Sequence, residues 1–461
     1  MGMKKKYLAG YAIEKLIARY FMNKYCFVVF GIMVIVLIGT SFSLVFASSW
    51  SIQTVEHWGD VGLGNSIALD SLGRVHISYI EFDYLSGTYY LKYALWDGIA
   101  WQTEYLFQTG DISPGKTSLV LDSNNRPHIC FTAASLGSQP VLGYFMFNGS
   151  TWEGWSIDYG ALGSLSIDIY DKLHISYSNP YSVIINNVSV PRSDLKYAYG
   201  SGQNWQTQTI EYGGRIGEES SLALDSQMRP HIAYRDFGVV SGQLKYASWS
   251  DGAWQIQVVD NQGDAGKDPS LALNSKDRPC ISYAGGDYSL KYASHNGTTW
   301  QIQTVEASVA HYSLPNSLAL DKADRPHISY QDNGLSILKY AVWDGTGWQI
   351  EIIDASNSPG LYNSLALDNW NRPHISYYEI IDGDLKYATA DIPIQDCQSD
   401  FDCDNDVDGS DLAVFEADFG RTDCDAGESC EGDFDSDGDI DGSDLAVFAA
   451  DFGRTNCPPC Q

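Results

Sequence analysis

Between residues 50 and 390 the chain is written in apolar runs of four to six residues, each bounded by Gly, Asn, Asp or Pro. Runs of that length with such borders predict strands buried on both faces, and no 3.6-residue periodicity competes with them here. The runs recur in a fixed order. Ser66-Ile-Ala-Leu-Asp70 returns at Ser118, Ser164, Ser221, Ser270, Ser317 and Ser364, with start-to-start spacings of 52, 46, 57, 49, 47 and 47 residues. In a typical unit a turn leads to Arg325-Pro-His-Ile-Ser-Tyr330, then to Leu338-Lys-Tyr-Ala341, and a second turn to Gln349-Ile-Glu-Ile-Ile-Asp354. Four short strands per unit of this size are the mark of a propeller blade, and seven units predict seven blades.

The two ends of the repeat fit together. The seventh unit stops after Leu385-Lys-Tyr-Ala388 without its last strand, and a strand of that kind stands alone at the start, Trp50-Ser-Ile-Gln-Thr-Val-Glu56. A ring closed by the N-terminal strand accounts for both facts and leaves no open sheet edge. The expected fold class is therefore all-β: a seven-bladed β-propeller of four-stranded blades over 50–390. The turn before the fourth strand, as in Asp97-Gly-Ile-Ala-Trp101, Asp251-Gly-Ala-Trp254 and Asp344-Gly-Thr-Gly-Trp348, resembles the Asp-box of sialidase-like propellers.

Recurrence also separates scaffold from candidate chemistry. His76, His128, His174, His231, His327 and His374 share one strand position, which Cys280 takes in the fifth unit. A group needed once has no reason to stand in every blade, so these are expected to be buried, hydrogen-bonded histidines. The repeated Arg74, Arg126, Arg229, Arg278, Arg325 and Arg372 are expected to hold turn carbonyls or the Asp that ends the first strand. One set of loops is short and uniform, whereas the opposite set differs from blade to blade, as when a rigid scaffold presents a binding face. That face offers His57, Trp58, Asp60, Glu81, Asp83, Tyr84, Glu218, Glu219, Arg235, Asp236, Asp287, Tyr288, His311, Tyr312, Asp332, Tyr378, Glu379 and Asp382. Tyrosines beside carboxylates suit sugar rings, and glycoside cleavage would need two carboxylates about 5–10 Å apart. No residue is assigned a catalytic role from sequence.

Composition changes the picture at the two ends. The whole chain has 461 residues, a formal charge of -30, 13% aromatic and 44% hydrophobic residues, which excludes disorder as its main state and a phosphate-binding surface for nucleic acid. Residues 1–47 carry six basic residues and one acid, followed by an uncharged apolar run from Cys26 and a Val45-Phe46-Ala47 processing signal. This segment is either a cleaved signal peptide or an uncleaved anchor, and either way the protein is expected to be secreted or attached at the cell surface.

After a short linker, 391–399, the tail 400–461 is of a different kind. Residues 391–461 hold 21 acids, two bases and six of the nine cysteines. Asp433, Asp435, Asp437, Asp439, Asp441 and Asp444 match a twelve-residue calcium loop, with Gly438 at the sharp turn. Asp400, Asp402, Asp404, Asp406, Asp408 and Asp411 repeat it 33 residues earlier, with Asn405 in the glycine's place. Each loop runs into Leu-Ala-Val-Phe-x-Ala-Asp-Phe, a short helix ended by Gly420 or Gly453. Two such loops call for two Ca2+ ions. With no histidine in the tail and an exported context, disulfides are favoured over zinc for Cys397, Cys403, Cys424, Cys430, Cys457 and Cys460. Two pairings respect the duplication: Cys397–Cys424 with Cys430–Cys457, or Cys397–Cys457 with Cys424–Cys430, leaving Cys403 with Cys460.

A duplicated loop and helix with Asp at the twelfth position resembles the dockerin type I module, which plugs extracellular enzymes and binding proteins into cohesin domains. The resemblance implies partner contacts at Gly409, Ser410, Glu416, Ala417 and Arg421, and at Gly442, Ser443, Ala449, Ala450 and Arg454. It also implies a small α-helical calcium module and a cohesin-like or other extracellular protein partner. The leading functional expectation is an exported propeller that binds or degrades polysaccharide or glycan, held through its tail. The alternative is a non-catalytic protein-interaction or adhesion propeller.

Overall fold

A computed structural model of the chain describes residues 49–57, 59–110, 115–133, 139–238, 241–309, 315–391, 399–402, 404, 406–422, 424, 432–434, 438–442, 444–445, 448 and 452. The leader, 1–47, and most of the linker lie outside the described residues. Trp50–Ala390 forms one compact unit. It contains seven four-stranded antiparallel sheets, six of them meanders in chain order. Blade 4 shows the plan: Ile216–Leu224, Pro230–Asp236, Gln243–Ser250 and Ala253–Asp260. The last blade is ordered Ser49–Glu56, Asp384–Asp391, Pro373–Glu379, Pro359–Leu367, so the N-terminal strand completes the ring.

The strand patterns follow from position in the blade. The second strands are sandwiched between neighbouring sheets, and Pro230–Asp236, Pro326–Asp332 and Pro373–Glu379 are buried at every residue. The fourth strands face outward, so Ala253–Asp260 is mostly exposed. The core is correspondingly a set of wedges between blades. In one of them Val61, Ile67, Ile77 and Tyr79 of blade 1 meet Val55, Leu385 and Tyr387 of blade 7.

The repeated serine explains how the wedges are bolted together. Its Oγ accepts the backbone N–H of the next blade's first strand: Leu119 N to Ser66 at 3.1 Å, and Leu165, Leu222, Leu271, Leu318 and Leu365 to their serines at 3.0 Å. The seventh bond, Ile67 N to Ser364 at 3.2 Å, closes the circle. The first strand is the inner edge of its sheet, with N–H groups that no neighbouring strand pairs, and a small hydroxyl supplies the acceptor.

The histidines and arginines are scaffold, as their recurrence implies. Asp70 accepts from Arg74 Nε at 2.6 Å and lies 3.4 Å from His76 Nε2, while His76 Nδ1 meets Tyr93 Oη at 2.5 Å. The same Asp–His–Tyr chain, with the arginine, recurs at Asp225, Arg229, His231 and Tyr246 and at Asp321, Arg325, His327 and Tyr340. In blade 5 the histidine is Cys280 and the carboxylate has become Asn274, whose Oδ1 still accepts from Arg278 N at 3.0 Å.

In the tail unit one helix is complete among the described residues, Gly409–Asp418. Asp408 caps it, accepting from Ser410 N at 2.7 Å. Val407, Phe415, Ile440, Leu445 and Phe448 are buried together, and the rings of Phe415 and Phe448 stack at 4.9 Å. Residues 33 apart thus pack as an internal pair. Asp411 and Asp444, both fully buried, do matching work: Asp411 accepts from Phe401 N at 2.7 Å and Asp408 N at 2.9 Å, and Asp444 from Phe434 N and Asp441 N at 2.8 Å each.

Candidate functional site

Much of the variable face turns out to be structural. Glu81, Asp236, Asp332 and Glu379 lie at or near the ends of second strands and pair with the repeated lysine of the third strand, Lys92, Lys245, Lys339 and Lys386, at 3.0, 2.7, 2.7 and 3.1 Å. The same lysines Lys92, Lys245 and Lys339 also reach the acid ending the preceding fourth strand, Glu56, Glu211 and Glu306, at 2.5, 2.7 and 2.9 Å. These ion pairs seal blade junctions. Asp83 and Asp287 brace their own loops through Leu85 and Ser289, and Asp382 accepts from Asn357 of the neighbouring loop at 2.7 Å. Trp58, His311 and Tyr312 lie outside the described residues.

What remains converges on the axis. The position two residues before the repeated serine is held by Gly64, Lys116, Leu162, Glu219, Asp268, Pro315 and Tyr362, seven blades with seven different residues. In blades 1, 3, 4, 5 and 7 the register between first and second strands shifts at this point. A bulge releases a side chain from the pleat and re-aims it. Leu162, Asp268 and Tyr362 pay for that with left-handed φ angles of 58°, 48° and 55°. The aim is inward: Lys116 of blade 2 reaches Asp268 of blade 5, Nζ to Oδ1 3.5 Å, across the ring.

Glu219 lies in this mouth. Its Oε2 accepts from Asp268 N at 2.8 Å and its Oε1 is 3.6 Å from Arg235 Nη1. Removal from water, reinforced by the charge of Asp268, pushes its carboxyl up to about 7, although a quarter of the side chain (26%) still meets solvent. Arg235 is held from its other side by Asp264 at 2.7 Å and lies 3.9 Å over the ring of Phe237, which Arg215 faces at 4.2 Å. Tyr362 is within electrostatic reach of Lys116, Asp268, Tyr89 and Asp60, and burial raises its phenol. Its ring lies 6.5 Å from that of Tyr378. Tyr378 and Tyr84 both donate to Asp60, Tyr84 at 2.7 Å. The result is a wall built on the buried Tyr378 and on Asp60, with Tyr84 exposed and Tyr362 half-buried, beside a charged axial mouth. Sequence reasoning named Asp60, Tyr84, Glu219, Arg235 and Tyr378 but missed Lys116, Asp268 and Tyr362, although comparing the repeats column by column would have shown them.

In the tail the structure brings Asp400, Asp402 and Asp411 within one ligand-sized cluster, and Asp406, Asp408 and Asp411 within another. Asp404 accepts from Asp406 N at 3.1 Å instead. Desolvation and neighbouring carboxylates push Asp402 and Asp406 up, and Asp406 has a buried Oδ1 without a hydrogen-bond partner. Such a donor set, all hard oxygens under mutual repulsion, fits a divalent cation of the calcium kind. Of the second loop Asp433, Asp439, Asp441 and Asp444 are described, while Asp435 and Asp437 lie outside. Gly409, Ser410, Glu416 and Ala417 are exposed on the helix, and Arg421 pairs with Asp418 at 3.2 Å. Gly442 is helical; Ser443, Ala449, Ala450 and Arg454 lie outside the described residues. Cys424 is disulfide-bonded, and the pairings expected for Cys397, Cys403, Cys430, Cys457 and Cys460 fall on residues outside the described set.

No protein-family description and no curated protein matches this chain. Among solved structures it is similar to an ulvan lyase bound to a glucuronate–sulfated rhamnose unit, with 12% identity over 73% of this chain and 96% of that one and a TM-score of 0.54. The Aleuria aurantia lectin in complex with a fucose–N-acetylglucosamine disaccharide matches at 15% identity over 66% of this chain and 98% of its own, with a TM-score of 0.44. The Trypanosoma rangeli sialidase matches at 10% identity over 76% and 61%, also with a TM-score of 0.44. At these identities the likeness is one of fold: the chain is a seven-bladed β-propeller with a small helix-containing tail.

Proposed function

We propose that this is an exported propeller that binds or degrades a glycan at the axial mouth of its variable face. One observation carries the reading: the wall of Tyr84, Asp60, Tyr378 and Tyr362 runs into a charged cluster made of residues the repeat does not require. Tyrosine rings cover the apolar face of a sugar while carboxylates and phenols take its hydroxyls. The ulvan lyase, which shares the fold, holds a glycan. The tail acts in this reading as a dockerin-like attachment module: two Ca2+ ions order its loops, and the exposed residues Ser410, Glu416 and Ala417 meet a cohesin-like or other extracellular protein.

Affinity electrophoresis and calorimetry of the intact chain against a polysaccharide panel test the proposal. Tyr84→Ala removes an exposed ring, and Tyr362→Asn removes a ring while keeping a residue that tolerates the left-handed backbone. Each should weaken binding of the recognised glycan by roughly tenfold, the worth of one stacking ring. Wild-type protein that binds no glycan, but is retained by a protein partner through the same face, would establish the interaction-propeller alternative instead.

A further inference from the structure

We propose that the axial cluster is a proton-linked anion site: the carboxylate of an acidic sugar residue enters beside Lys116, and Glu219 takes up a proton as it does. The proposal rests on the glycan reading above and names the substrate class for that site.

The geometry supplies the argument. Lys116 is half-exposed, at 49% of its side chain, and only one of its three donors is directed to Asp268, at 3.5 Å. An incoming carboxylate therefore finds free donors on a cation already drawn to the axis. Around Glu219 stand Asp268 on the first strand of blade 5, Arg235 on the second strand of blade 4 and Lys116 on blade 2. Behind Arg235 lie Asp264 at 2.7 Å and Lys267, which pairs with Asp264 at 2.9 Å. The adjacent Arg215 and Glu218 neutralise one another at 2.6 Å, and Asp60 is engaged by Tyr84 and Tyr378. With Glu219 ionised, Lys116, Arg235 and Lys267 are balanced by Glu219, Asp264 and Asp268. With Glu219 protonated the cluster carries one net positive charge, in a propeller that is otherwise strongly acidic.

Protonation and anion binding must then assist each other, since coupling between two sites is reciprocal. A carboxylate placed near an ionised Glu219 is repelled in a partly dry mouth, where Coulomb interactions are several times stronger than in bulk water. Proton uptake removes that repulsion, leaves Oε2 as acceptor for Asp268 N, and gives Glu219 a donor for a sugar oxygen. A neutral sugar gains that donor but no relief of charge repulsion, so its binding depends far less on the proton. The ring position, not the repeat, thus sets the sign of the ligand.

The intact chain is titrated calorimetrically with uronate oligosaccharides (galacturonan, alginate and glucuronan fragments) and with their carboxyl-reduced, neutral forms, at pH 6 and pH 8. The expected result is a uronate fragment that binds roughly tenfold more tightly at pH 6, with net proton uptake seen as a buffer-dependent heat near pH 7.5. Glu219→Gln should bind it equally at both pH values with the pH 6 affinity, and Lys116→Met should lose it at both. Uronate binding that is flat with pH in the wild type, or a pH slope that survives in Glu219→Gln, overturns the inference. Preference for the neutral forms overturns it too while leaving the glycan reading intact, whereas no binding of either class at any pH removes the glycan reading itself.

Discussion

Cys280 and Asn274 show how the repeat behaves at single residues. The carboxylate in this position has a histidine beside it in the six blades that keep it; where the imidazole is lost, the charge is lost with it. Blade 2 makes a larger exchange of the same kind. The Tyr, acid and Lys that join other blades are replaced there by Phe131, Phe107 and Gly143, with Phe107 and Phe131 ring centroids 5.8 Å apart. A Cβ on Gly143 would come within 2.7 Å of the Phe131 ring, so the glycine is forced by the phenylalanine. Such covariation inside one chain predicts non-additivity. Cys280→His and Asn274→Asp should each destabilise, and the double variant should recover about 1 kcal/mol relative to their sum, read from denaturant midpoints. Additive effects would mean that the two positions are independent. Glu219 makes a second prediction at this scale. Its carboxyl, at about 7 in the folded chain against an ordinary value of about 4.3, binds more protons folded than unfolded between those values. Stability contributed by this group therefore falls as pH rises through that window. Glu219→Gln should melt with the wild type near pH 5 and above it at pH 8, by differential scanning fluorimetry.

At the scale of elements, the N-terminal strand does more than cover an edge. Glu56 accepts from Lys92 at 2.5 Å and from Tyr79, two groups buried in blade 1, and the Trp50 ring meets Tyr340 of blade 6 edge-on at 5.3 Å. One strand thus ties three blades. Deleting Trp50–Glu56 should lower the melting temperature of the whole ring and produce oligomers by edge pairing, measured by calorimetry and light scattering. A monomer with an unchanged melt would show that the closure is dispensable. In the tail, the helix Gly409–Asp418 starts at a capping box in which Asp408 and Asp411 hold each other's backbone. Because Asp411 also gathers Phe401 N, Asp411→Ala should lose both the first calcium site and the order of its loop. Titration of the intact chain should give two Ca2+ for the wild type and one for Asp411→Ala; no binding by the wild type would refute the calcium reading.

Across the whole molecule the same small devices are repeated around a ring, so their titrations add. Burial lowers the imidazoles of His76, His128, His174 and His231 below their ordinary range, and their partners Asp70, Asp122 and Asp225 are held low by arginine and backbone donors despite burial. A histidine with a depressed pKa binds protons mainly in the unfolded chain, so its contribution is lost as pH falls below about 6.5. The aspartates add a second loss near and below pH 4, as their own protons arrive. Thermal melts should decline from pH 7 to pH 5 in spite of the opposite, single contribution of Glu219. His231→Asn should reduce that decline while lowering stability at pH 7; a glycan-binding defect without a change in the melt would instead give that histidine a functional role.

Fold class, blade number, closure and the structural rank of the histidines were all legible in the chain, because each is a matter of repetition. A strand's period, a turn's glycine and a recurring Ser-Leu-Ala-Leu-Asp are local, and seven copies average away the exceptions. The clustering of the carboxylates between Asp400 and Asp411 was legible for the same reason, since the groups one loop gathers are neighbours in sequence. The candidate site was legible only in part: Asp60, Tyr84, Glu219, Arg235 and Tyr378 stood out on the variable face, but Lys116, Asp268 and Tyr362 did not. Lys116 and Asp268 are 152 residues apart and meet only because three blades of the ring turn between them. Glu81, Asp236, Asp332 and Glu379 read as free acids until the third strand laid a lysine beside each. Sequence determines what a repeated position must be; only the closed ring decides which of the unrepeated ones face each other, because the axis belongs to no single blade.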